Sequence, residues 1–160
     1  MNEWSNFFVA MAGAAAALSG LIFVGVSINL TRILSLPKLP GRALESLLLL
    51  LTILIVSALC LVPAQSAWAL GAEVLGTGII TCGIALVIDI GMLTNAEAAY
   101  KKHAVQNICF SQLSILPCII AGITTAACGY HGIYWLVPGF LLSFIKAIID
   151  AWVLLVEINR

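Results

Sequence analysis

The run ALESLLLLLTILIVSALCLV, residues 43–62, decides the fold class. About 20 consecutive apolar residues wound at roughly 1.5 Å per residue match the hydrocarbon thickness of a bilayer. The run therefore predicts a membrane-crossing helix. Outward from it, four more stretches meet the same length rule, at residues 7–30, 72–93, 106–127 and 132–156. The fold class expected is all-α, a polytopic integral membrane protein of five transmembrane helices forming a single domain over residues 1–160.

Composition agrees. The 160 residues are 62% hydrophobic and only 9% charged, whereas a soluble domain carries about a quarter charged residues to face water. Seven basic and seven acidic residues cancel. A neutral chain has no electrostatic attraction for nucleic acid, and none is expected as a partner. The partners expected are the lipid bilayer, further copies of the chain in a homo-oligomer, and a second membrane protein. The stretch MNEWSNFF lacks the basic n-region of a secretory signal, and the apolar run after it is longer than a signal h-region. It reads as a retained span.

The connections are marked by helix breakers and polar residues. SLPKLPGR lies between the first two runs, PAQSAWALG between the second and third, TNAEAAYKKHAV between the third and fourth, and CGYHG between the last two. Lys and Arg are retained on the cytoplasmic side during insertion. Arg32, Lys38, Arg42, Lys101, Lys102 and Arg160 all fall on one side if the five helices alternate, and the other side has only Glu3, Glu73 and His131 among ionisable groups. The expected topology puts the N-terminus outside and the C-terminus in the cytoplasm of a bacterial inner membrane. Trp4, Trp68, Tyr130, Tyr134 and Trp135 then fall near the outer interface and Tyr100 near the inner one, where amphipathic rings are favoured.

The first run is rich in small side chains. At a seven-residue spacing Gly13, Gly20 and Ser27 share one seam, with Ala17 beside them. Small residues allow close helix approach in lipid, so this seam is expected to pack against another helix of the chain or to join copies in an oligomer.

Polar residues recur at helical spacing in two further runs. Thr77, Thr81 and Asp89 follow at multiples of four, and Asn107, Ser111, Ser114, Cys118 and Thr125 form a comparable stripe around Pro117. These stripes either hold helices together or line a narrow hydrated path. Carboxylates are the sharper signal, because charge inside a membrane is costly. In SFIKAIIDAW, residues 143–152, Lys146 and Asp150 stand one helical turn apart. Depth counting places Asp89 about 10 Å, Asp150 about 9 Å and Lys146 about 3 Å from the midplane, all toward the cytoplasm. A helical side chain leans toward the helix N-terminus, which turns Lys146 away from the nearer interface and calls for a local partner. Asp150 is the nearest candidate and Asp89 the second. Together they carry one excess negative charge, suited to a bound cation or a proton.

Several chemistries find no support. No Gly-x-Ser-x-Gly elbow, His-Glu-x-x-His motif or nucleotide-binding loop occurs. His103 and His131 fall on opposite sides, and the five cysteines form no Cys-x-x-Cys pair. Cofactors and metals are not expected, and the chain does not read as an enzyme. Cys60 and Cys128 sit near the same face, where two helix-end cysteines are read as unpaired. The function expected is a small oligomeric channel or transporter for an ion or small solute, its path formed by Asp89, Lys146, Asp150, Thr77, Thr81, Ser111 and Ser114. An accessory or regulatory subunit of a membrane protein complex is the alternative, and a lipid-modifying enzyme with a carboxylate base is a third.

Overall fold

A computed structural model describes residues 4–35, 39–94 and 101–158, with the side chains of residues 103, 157 and 158 outside the description. The described residues are helical almost throughout. In chain order they form α1 (Ser5–Ile28), the short α2 (Leu30–Ser35), α3 (Leu39–Cys60), α4 (Ala67–Thr94), α5 (Lys101–Cys128), a 3₁₀ turn (Gly129–Trp135) and α6 (Leu136–Ile158). Four stretches are long and apolar enough to cross a membrane: Ser5–Ile28, Leu39–Cys60, Ala67–Thr94 and the 53-residue Ala104–Val156. They are consistent with a multi-pass membrane protein.

The helices extend further into the connections than the breakers suggest. Pro40 and Gly41 lie inside the first turn of α3; proline is tolerated there because first-turn amides have no intrahelical acceptor to lose. Ser66 starts α4 by accepting a hydrogen bond from the Ala69 amide at 3.2 Å, the usual service of an N-cap hydroxyl. The chain bends between α5 and α6, where Gly129 adopts φ +80°, a conformation that favours glycine. α5 begins at Lys101, so His103 belongs to a helix rather than to a loop. Lys38, Glu97, Tyr100 and Arg160 lie outside the described residues.

α3, α4, α5 and α6 close a ring in which each packs against the next and α6 returns to α3. Neighbours run antiparallel. Thr52 of α3 meets Thr81 of α4, Gly71 and Gly78 of α4 meet Ala126 and Ile119 of α5, Ser114 of α5 meets Ser143 of α6, and Lys146 of α6 meets Glu45 of α3. The 53-residue stretch thus folds back on itself as two paired helices.

α1 is an outrider. Phe8 and Ala15 are buried and Phe7, Met11, Leu18 and Ile22 pack on the central cluster, yet only 11% of the apolar window of α1 is buried, against 56% for that of α3. Its first turn is held by rings. Trp4 meets Tyr134 edge-on at 4.8 Å, and Phe7 stacks on Phe140 at 6.3 Å. The helix starts of α1 and α6 therefore share one end of the molecule with the α3–α4 connection, whose Gln65 carbonyl accepts the Tyr130 hydroxyl at 2.6 Å. Arg32 and Arg42 lie at the opposite end, as do Lys101 and Lys102 at the start of α5.

Among the described residues, nothing packs against the small-residue seam at its glycines. Gly13, Ala17, Gly20 and Ser27 are exposed, and a methyl group on Gly13 or Gly20 would meet nothing within 4 Å. The contact face of α1 is instead its aromatic and large aliphatic side, because those residues supply most dispersion contact against α3. Towards the basic end, α1 and α6 leave an apolar groove of about 310 Å³ between Leu18, Ile22, Ala147 and Ala151.

Candidate functional site

The ring encloses five ionisable groups close to its basic end. Glu45, Asp89, Lys146 and Asp150 are each at most 1% exposed, and Arg42 is 24% exposed at its side chain. α3 supplies Arg42 and Glu45, α4 Asp89, α5 the amide of Asn107, and α6 both Lys146 and Asp150. Every helix of the ring contributes.

Lys146 and Asp150 pair as their one-turn spacing requires, with Nζ donating to Oδ2. The second partner of Lys146 differs from the one expected. Its Nζ stands 3.1 Å from Glu45 Oε1, and Arg42 Nη1 lies 3.5 Å from the other oxygen of Asp150. Arg42, Asp150, Lys146 and Glu45 form a chain of alternating sign across α3 and α6. Asp89 joins through an amide: Asn107 Nδ2 donates to both Glu45 Oε2 and Asp89 Oδ1, each at 3.0 Å.

Alternation offsets part of what burial costs. Isolated charge in a low-dielectric interior is expensive, whereas opposite charges in contact recover much of that penalty when hydrogen bonds complete the arrangement. Here Glu45 Oε1 and Asp150 Oδ1 have ion-pair contacts but no hydrogen bond, and Asp89 has no ion-pair contact among the described residues. Its Oδ2 is buried without a hydrogen-bond partner, and Ser111 approaches Asp89 closely enough to interact without completing a bond, its own hydroxyl remaining unpartnered.

Farther from the basic end, hydroxyls continue along the interior. Thr81 pairs with Thr52 at 2.9 Å, Ser114 is buried and donates to its own helix at Phe110, and Ser143 donates to the Ser114 carbonyl at 3.4 Å. Cys82 donates to Gln112 Oε1 at 3.1 Å. Ser57 Oγ and Gln112 Nε2 are buried without partners. Thr77 departs from the stripe, donating to the Glu73 carbonyl of its own helix at 2.8 Å. Residues four apart drift by about 40°, so three such steps from Asp89 turn Thr77 out of the interior. Valine at Thr52 is expected to cost about 0.6 kcal/mol, the average for a hydrogen bond between membrane helices, read from thermal unfolding in detergent.

Glu45 and Arg42 were not among the residues expected at the site. Glu45 stood near the edge of a leucine-rich run, where a charge reaches water easily. Because α3 begins at Leu39, Glu45 is instead in its second turn, and the seven-residue spacing from Glu45 to the polar Thr52 was the available sign that they share a face.

Among the described residues no group of three or more His, Cys, Asp and Glu is arranged to hold a metal ion. Cys60 and Cys128 are both free thiols. No protein-family model, curated protein or solved structure matches this chain.

Proposed function

We propose that the chain crosses a bacterial inner membrane five times, N-terminus outside and C-terminus cytoplasmic, and conducts or transports a small ion or solute through its four-helix ring. The return at Gly129–Trp135 supports separate crossings by α5 and α6. The alternation of helix ends, with Arg32, Arg42, Lys101 and Lys102 together, supports the orientation. One observation carries the transport reading: three buried carboxylates face two cations, and one carboxylate oxygen, Asp89 Oδ2, has neither a hydrogen bond nor an ion pair among the described residues. An ion pair that merely fixed helix register would need no fifth group. Ionisable side chains inside membranes commonly mark ion or proton paths.

Purified protein in liposomes is expected to dissipate an imposed ion gradient, and Asp89→Asn to reduce that flux to the protein-free background. Absence of flux for protons, metal cations and anions alike would sink this reading.

The outward seam of α1 favours a second reading, an accessory or regulatory subunit that docks on another membrane protein through Gly13, Ala17, Gly20 and Ser27. The same face would join copies in the homo-oligomer favoured by transport. A photo-crosslinking residue at position 20 separates the two. Transport by a homo-oligomer predicts adducts between copies of this chain, and the subunit reading predicts adducts with a different membrane protein. Gly20→Leu is expected to leave the unfolding temperature of the dispersed protomer unchanged, because none of the described residues meets that position.

A further inference from the structure

We infer that Asp89 carries a proton and that this proton is the species the path would move; the second half rests on the transport reading above. Charge balance points to it. Arg42, Asp150, Lys146 and Glu45 alternate in sign through direct contacts. Two acids and two bases leave this chain neutral. Asp89 stands outside it, touching no cation directly and reaching it only through the Asn107 amide. An ionised Asp89 would give the interior an uncompensated negative charge. A protonated Asp89 leaves it neutral.

Hydrogen-bond arithmetic permits this state. A carboxylate can only accept, whereas a carboxylic acid has one O–H to donate. Asn107 presents both of its amide hydrogens, one to Glu45 Oε2 and one to Asp89 Oδ1. That leaves Asp89 Oδ2 and Ser111 Oγ, two buried oxygens with no partner. Ser111 can donate its hydroxyl hydrogen to an ionised Asp89 or accept from a protonated one, so this pair is compatible with a proton on Oδ2 and the charge balance decides for it. The groups facing Asp89 are all assigned. Glu45 and Lys146 lie across the ring, Arg42 and Asp150 beyond them, and Asn107 and Ser111 are supplied by α5.

A metal cation fits this place less well. Carboxylates that hold a cation must converge on one point, but the interposed amide separates Glu45 from Asp89, and Lys146 occupies the space between Glu45 and Asp150. A proton needs one oxygen only. Bound at Oδ2 it has a neighbouring hydroxyl, and the buried hydroxyls of Ser114, Thr52 and Thr81 continue through the ring interior.

Infrared spectroscopy of the full chain in an ester-free detergent tests the assignment. A protonated carboxyl gives a carbonyl band distinct from that of a carboxylate, and the band shifts in deuterium oxide. The sequence contains two aspartates, Asp89 and Asp150, so carbon-13 at the aspartate side-chain carboxyl moves their bands away from those of the glutamates without any substitution. The expected result at neutral pH is an aspartic acid band in the unaltered protein, retained in Asp150→Asn and lost in Asp89→Asn. Absence of an aspartic acid band in the unaltered protein, or its survival in Asp89→Asn, overturns the inference. Flux measurements keep the two readings apart. A band at Asp89 with no flux of any ion leaves the protonated site standing and removes transport. Metal-cation flux without the band leaves transport standing and removes the proton.

Discussion

Lys146→Met is expected to destabilise the protein by about 3–5 kcal/mol, the penalty typical of breaking a buried ion pair from one side. Methionine matches the length of the aliphatic stem, so little packing is lost. The loss is electrostatic: Glu45 Oε1 and Asp150 Oδ2 both face Nζ and both would be left without it. Asp150 keeps Arg42 at 3.5 Å and Glu45 keeps the Asn107 amide, but neither contact replaces a shared cation. Combining Lys146→Met with Glu45→Gln and Asp150→Asn is expected to recover most of the loss, since no buried charge of the chain then remains and Arg42 is partly exposed. Unfolding midpoints in detergent check both statements. A triple variant no more stable than Lys146→Met would show that the side chain matters through its shape.

The order of these effects reflects what the sequence could reveal. Charge within an apolar run is conspicuous, and Asp89, Lys146 and Asp150 are legible for that reason. The i,i+4 spacing of the last two also foretold their contact. Glu45 is hidden by position, because a residue near the apparent start of a run has two fates, reaching water or turning inward. Which fate it meets depends on where the helix begins, and Pro40 and Gly41 disguise a start that proline at a first turn permits. Partner choice is harder still. Periodicity puts Asp89 and Lys146 on inward faces, but whether an amide or an ammonium lies between two carboxylates depends on helix rotation and axial shift.

The same distinction explains the small residues of α1. Small side chains allow close approach without compelling it. Gly13 and Gly20 show the permission unused among the described residues, while the large side chains of the opposite face provide the contact. α4 contains the reverse case. Among the glycines conspicuous in its sequence, Gly76 and Gly83 would accept a methyl group with nothing within 4 Å, whereas Gly78 packs against Ile119. Gly71 packs most closely, and only the position of α5 identifies it.

Gly71 and its counterpart Gly122 therefore carry the second large prediction. A methyl group on Gly71 would lie 2.4 Å from the Ala126 amide nitrogen and 2.7 Å from its Cα, and one on Gly122 would lie 2.5 Å from the Leu75 amide nitrogen. Backbone atoms block both places, so no side-chain rotation relieves the overlap and α4 must move away from α5. Forced overpacking costs about 1–3 kcal/mol per site, and a rigid backbone obstacle argues for the upper part of that range. Valine at Gly71 or Gly122 is expected to lower the unfolding midpoint strongly, while valine at Gly76 is expected to leave it nearly unchanged. Separating α4 from α5 also draws Asp89 from Asn107, whose 3.0 Å contact spans the same two helices. Gly122→Val should then reduce ion flux even though its own position is remote from Asp89. Retained flux in a destabilised but folded Gly122→Val protein would instead show that the Asp89–Asn107 contact is independent of the glycine-mediated approach.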